Sequence, residues 1–73
     1  MNYRQTANAM ILRDLKGAGF EAVENMNGDT RVCLHRPVAT LEVITALRQA
    51  GYSKSQFTTK RIQDYVVVSA VVS

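Results

Sequence analysis

The chain has 73 residues, 47% of them hydrophobic, and carries nine Lys and Arg against six Asp and Glu, a formal net charge of +3. That size allows one domain, near the lower limit for folding without staples, since so short a chain buries only about 60% of its unfolded surface. The composition excludes a disordered tail, a disulfide scaffold, because Cys33 is the single cysteine, and a helical membrane span, which needs roughly 18 apolar residues in a row.

The first element is a helix. In YRQTANAMILRDLKGAG, Ala7, Ile11, Leu15 and Ala18 fall on one helical face with Leu12 beside it, while Arg4, Arg13 and Lys16 fall away. Asn2, Thr6 and Asn8 are all candidate N-caps, so the start lies between residues 3 and 9. Gly17 and Gly19 end it, Gly19 at the left-handed position after the last turn.

A hairpin follows in FEAVENMNGDTRVCLH. Asn27-Gly28 predicts a two-residue type I′ turn, whose central residues both need positive φ. That turn pairs Met26 with Asp29, Glu24 with Arg31, Val23 with Val32 and Glu21 with Leu34. Val23, Val32 and Leu34 then share the core face. Phe20, Met26, Cys33 and the Glu24–Arg31 charge pair share the other.

PVATLEVITALRQAG predicts a second helix. Pro37 sets its entry, Thr40 caps it with Glu42 in the first turn, Val43, Ile44 and Leu47 form its apolar stripe, and Gly51 stops it. The β-branched tail from Phe57 reads as a second hairpin turning at Gln63-Asp64, with one long strand as the alternative. As a hairpin it places Phe57, Val66, Val68 and Ala70 on one face.

LRDLKGAGFE returns as ITALRQAGYS, 32 residues later. At that offset Ile11 meets Val43, Leu12 meets Ile44, Leu15 meets Leu47, Gly19 meets Gly51 and Phe20 meets Tyr52, and the candidate caps Asn8 and Thr40 coincide. With two more residues allowed in the hairpin, Val32 lands on Val66 and Leu34 on Val68. The expected pseudo-repeats run from about 8 to 35 and 40 to 72, within a single domain spanning 1–73, with residues 1–7 an N-terminal arm or helix extension. Neither copy can bury its own apolar face, so the two pack together. The expected fold is α+β: a duplicated α-β-β unit forming a four-stranded antiparallel sheet with two helices on one face, a permuted ferredoxin-like layout. The last strand is then central, which accounts for its valines on both faces.

No catalytic constellation is legible. His35 stands alone, and with a single Cys there is no metal-ligand spacing. Cys33 and His35 alternate onto one face, which more simply reads as a strand end. The carboxylates Asp14, Glu21, Glu24, Asp29, Glu42 and Asp64 are scattered, with no acid and base in one pocket. GAGF ends a helix rather than starting one, so it is not a phosphate loop. The chain is therefore expected to be non-enzymatic, with no cofactor and no metal.

The open face of the sheet is more informative. In the predicted register it carries Phe20, Met26, Arg31, Cys33, Thr58, Lys60, Ile62, Tyr65, Val67 and Val71, more apolar than a solvated face should be. Burial against a partner protein or a second copy accounts for the valines and the isoleucine, making the protein a monomer or a weak dimer. Aromatic and basic residues on an open four-stranded sheet also suit single-stranded RNA readers, though their signature strand is missing. A misassigned register is the third reading. The positive charge leans towards anionic partners, but mildly: the densest basic group is Lys60-Arg61, with Lys54 nearby.

In length, charge sign, compact mixed fold and lack of a catalytic constellation, the chain resembles small bacteriophage transcription regulators that bind the host RNA polymerase. The resemblance does not rest on a motif and carries over no residue by position. It implies contact with a large polymerase subunit in the host cytoplasm, inhibition of initiation and read-through of terminators. Contacts are then expected from basic and aromatic groups outside the core: Tyr3, Arg4, Arg31, Arg36, Lys60, Arg61 and Tyr65. The alternatives are a small nucleic-acid-binding module and an occluding inhibitor of a host defence protein.

Overall fold

A computed structural model describes residues 3–32 and 38–71. Helix α1 runs Tyr3–Gly17, strands β1 and β2 are Ala22–Glu24 and Thr30–Val32, helix α2 is Thr40–Gln49, and strands β3 and β4 are Phe57–Ile62 and Tyr65–Ala70. A short 3-10 turn, Lys54–Gln56, leads into β3. The four strands form one antiparallel sheet in the order β1-β2-β4-β3. This is the α+β architecture expected, with the last strand inside the sheet.

Both helices cover the same face. Ile11 and Leu15 of α1 and Val43 and Leu47 of α2 are buried in one cluster with Ala22, Val32, Val66, Val68, Ala70 and Phe57 of the sheet. The side-chain alternation of paired strands puts all those strand residues on the helical side. Core positions repeat between the two halves. Ile11 and Val43, Leu15 and Leu47, and Val32 and Val66 are all buried, and Val32 lies directly opposite Val66 in the β2–β4 ladder. Repeat-equivalent residues that face each other are what a pseudo-twofold relation between the halves produces.

The sequence echo has a local cause. After α1, the Phe20 N–H donates to the Leu15 carbonyl at 3.0 Å and the Gly19 N–H to Lys16 at 3.0 Å. After α2, Tyr52 donates to Leu47 at 3.0 Å and Gly51 to Arg48 at 3.1 Å. Gly19 and Gly51 have φ of 95° and 105°. Both helices thus end in the same Schellman motif, in which a glycine takes the left-handed position and the next apolar residue folds back on the last turn. Ala18, expected in the apolar stripe, is the exposed residue at this cap.

Two capping expectations are corrected. Asn8 lies inside α1, where it is buried and accepts the Ala70 N–H at 2.9 Å. For α2 the N-cap is Ala39, and Thr40 is the first helical residue. With no side-chain acceptor on Ala39, only half of a capping box forms: the Glu42 carboxylate accepts the Ala39 N–H at 3.1 Å.

The first hairpin is shifted by one residue from its predicted register. Ala22 pairs with Val32, Val23 with Arg31 and Glu24 with Thr30. The loop is Met26-Asn27-Gly28, three residues rather than two. The Gly28 N–H donates to the Asn25 carbonyl at 3.0 Å, and Gly28 alone takes positive φ, 86°. That is a turn followed by a left-handed glycine, the three-residue alternative to type I′. Asn25 selects it, because its side-chain oxygen accepts the N–H groups of Asn27 at 3.0 Å and Asp29 at 3.1 Å. Since one residue of slip exchanges the faces of a strand, Ala22 is in the core at 3% exposure while Val23 is 50% exposed on the open face. Glu24 moves off the open face, so its expected pairing with Arg31 does not form.

The second hairpin has its expected turn, with Ile62 opposite Tyr65 and Gln63 at φ 52°. Phe57, Val66, Val68 and Ala70 are buried together. The expectations placed on Leu34, His35 and Pro37 lie outside the described residues.

Candidate functional site

The ladders define a row across the open face. Val23 is opposite Arg31, Arg31 opposite Val67, and Val67 opposite Lys60, so these four side chains line up across all four strands. Tyr65 and Ile62 form the next row on one side, Ser69 and Thr58 on the other. Strands about 4.8 Å apart keep such neighbours in contact range. Val67, Tyr65 and Ile62 are half-buried, while Thr58 and Lys60 are exposed.

Arg31 is the best-defined group on this face. Its guanidinium carbon sits 4.0 Å from the centroid of the Tyr65 ring. At that distance the cation is attracted by the ring quadrupole and held in place. Its Nε is buried and has no hydrogen-bond acceptor among the described residues. Among the paired strand residues of this face there are two cations, Arg31 and Lys60, and no carboxylate.

Arg31, Lys60 and Tyr65 are therefore brought together, and the other expected contact residues are not. Tyr3 is 84% exposed at the start of α1. Arg4 leans from α1 towards the first hairpin, its Nη2 4.0 Å from Asp29 Oδ1, at a cleft of about 620 Å³. Arg61 points to the helical side of β3 and donates from Nη1 to the Val38 carbonyl. Arg36 and Cys33 lie outside the described residues. Phe20, placed on the open face by the predicted register, packs against the core instead, and Met26 is fully exposed at the hairpin tip.

Val23 is the open-face residue that the sequence reading missed. The available signal was Asn25, a residue that builds its own turn by accepting backbone N–H groups two positions on.

A second polar site is structural. The Tyr52 phenol donates to Asp14 Oδ2 at 2.7 Å, and Arg13 Nη2 lies 3.3 Å from Asp14 Oδ1. The Tyr52 hydrogen bond, with a smaller contribution from Arg13, holds the Asp14 carboxyl below its ordinary value. Burial, and then the carboxylate, push the Tyr52 phenol up to about 12. Among the described residues no three His, Cys, Asp or Glu side chains are grouped to hold a metal ion, and no helix is long and apolar enough to cross a membrane.

Compared with known proteins, the chain matches no family model, no curated protein and no solved structure.

Proposed function

We propose that the protein is a phage-encoded, non-enzymatic regulator that binds host RNA polymerase in the bacterial cytoplasm, inhibiting initiation, suppressing termination, or both. The observation that carries this reading is the open face, where Val23, Val67, Ile62 and a stacked arginine stand uncovered by any other described element. A sheet face this apolar gains by being covered, and basic groups set in it orient the covering surface. Length, charge sign and mixed fold favour the polymerase as that surface, by the resemblance given above. The mechanism is occlusion: a domain of this size seated on a large subunit competes for a surface that initiation or termination requires.

The decisive experiment mixes the purified protein with purified bacterial core polymerase and follows complex formation by size-exclusion chromatography. Promoter-dependent and terminator-containing transcription are then measured with and without it. Complex formation with altered initiation or read-through supports the proposal, and absence of a complex at micromolar concentrations rejects it.

One observation favours a second reading, a module for single-stranded nucleic acid. Arg31, Tyr65 and Lys60 are a basic and aromatic set on an open four-stranded sheet. Binding of that kind weakens steeply with added salt, because phosphates carry the affinity.

A further inference from the structure

We infer that the open face receives an acidic protein segment whose carboxylate seats on the Arg31 guanidinium, with apolar neighbours lying on Val23, Val67 and Ile62. This rests on the docking reading above and names the chemistry of the surface received.

Three observations converge on Arg31. It occupies β2, inside the sheet, with Val23 on one side and Val67 on the other. A bound surface centred there would therefore be shielded from water by apolar neighbours, the setting in which one residue dominates an interface. Its guanidinium is already positioned over the Tyr65 ring at 4.0 Å, so little rotamer freedom remains to be lost on binding. Its Nε is buried without an acceptor among the described residues, and the planar guanidinium has the fork geometry that matches a carboxylate. Lys60, at the other end of the row, adds a second positive charge, and no acid lies among the paired residues of the face. The complementary surface is thus acidic and flanked by apolar side chains.

The same geometry disfavours a nucleic acid. Binding of single strands relies on aromatic faces on which bases stack. Tyr65 is the one aromatic among the paired residues of this face, and Arg31 already covers one side of its ring. Apart from Lys60, the remaining paired neighbours are aliphatic or hydroxylic.

The test measures affinity for purified bacterial core polymerase with the parent chain and with Arg31→Gln, Arg31→Lys, Tyr65→Leu and Lys16→Gln, each checked for an unchanged thermal melt. Lys16→Gln is the control, an equal charge change on the helical layer. Arg31→Gln is expected to weaken binding about 30-fold or more, as a central charged anchor does. Arg31→Lys should recover only part of that loss, because a lysine keeps the charge but not the fork or the stack. Tyr65→Leu should weaken binding through loss of positioning, and Lys16→Gln should leave it within about twofold. If the parent binds polymerase and the Arg31 and Tyr65 variants bind within twofold of it, this inference is wrong while the polymerase reading stands. If the parent does not bind polymerase, both fall. Tighter binding of a labelled single-stranded RNA than of polymerase, lost in the same variants, would assign the face to nucleic acid and overturn the inference.

Discussion

The phenol of Tyr52 donates a 2.7 Å hydrogen bond to the carboxylate of Asp14, 38 positions earlier in the chain. Tyr52 is the residue that folds back at the end of α2, and Asp14 lies in the last turns of α1, so this bond ties one half of the repeat to the other. Phe20, the equivalent of Tyr52, has no hydroxyl and packs on the core without such a bond.

Tyr52→Phe is therefore expected to lower stability by about 1–2 kcal/mol, the scale of a hydrogen bond to a charged group that is only partly buried. The pH profile follows from the two shifts. A lowered Asp14 pKa stabilises the fold above the unfolded value of 3.8, and that contribution is lost as pH falls below it. A Tyr52 pKa raised from 10.0 to about 12 stabilises the fold fully below pH 10, and that contribution is lost as pH rises towards 12. Denaturant melts of parent and variant from acid to alkaline pH check this. The gap between them should be widest at neutral pH and shrink at both ends.

Gly28→Val is expected to destabilise the fold by more than about 1 kcal/mol, because a β-branched residue resists the φ of 86° that closes the first hairpin. Asn25→Ala should also cost about 1 kcal/mol, since the backbone N–H groups of Asn27 and Asp29 both lose an acceptor. Thermal melts of the two variants decide the matter. A parent-like transition for Gly28→Val would show that the turn tolerates another geometry.

Leu15→Ala and Leu47→Ala should each cost roughly 2–5 kcal/mol, enough to unfold much of so small a domain. Both side chains are fully buried at equivalent positions in the two halves. Similar losses are expected from the pair in equilibrium unfolding. A small loss for one of them would show that its half of the core is loosely packed.

Asn8→Ala removes the acceptor of the Ala70 N–H, a buried bond spanning 62 positions between α1 and the last strand. An orphaned buried donor costs about 1–3 kcal/mol. Beyond the lower melting temperature, hydrogen exchange at the Ala70 amide should accelerate more than at the β3–β4 ladder positions near the turn. Uniform acceleration would indicate global destabilisation rather than release of the strand end.

Much of the architecture is legible in the chain because its causes are local. Period 3.6 in Ile11, Leu15, Val43 and Leu47, period 2 in Val66, Val68 and Ala70, and the glycines that close both helices each act within a few residues. Their repetition, at an offset of 32 in the helices and 34 in the strands, then implies two units that must share a core, and with it the four-stranded sheet. What the sequence could not decide is where polar atoms meet. Asn25 bonds its own loop, adds one residue to the turn and so exchanges Val23 for Ala22 in the core. That choice between two hairpin turns is settled by a side chain that patterns of hydrophobicity do not weigh. Asn8 reads as a helix cap and becomes a clamp on β4, because only the packed fold brings the Ala70 N–H to it. Arg31 acquires its place over Tyr65 in the same way: two residues 34 positions apart become neighbours only once β2 and β4 pair, and that pairing turns scattered charges into a surface.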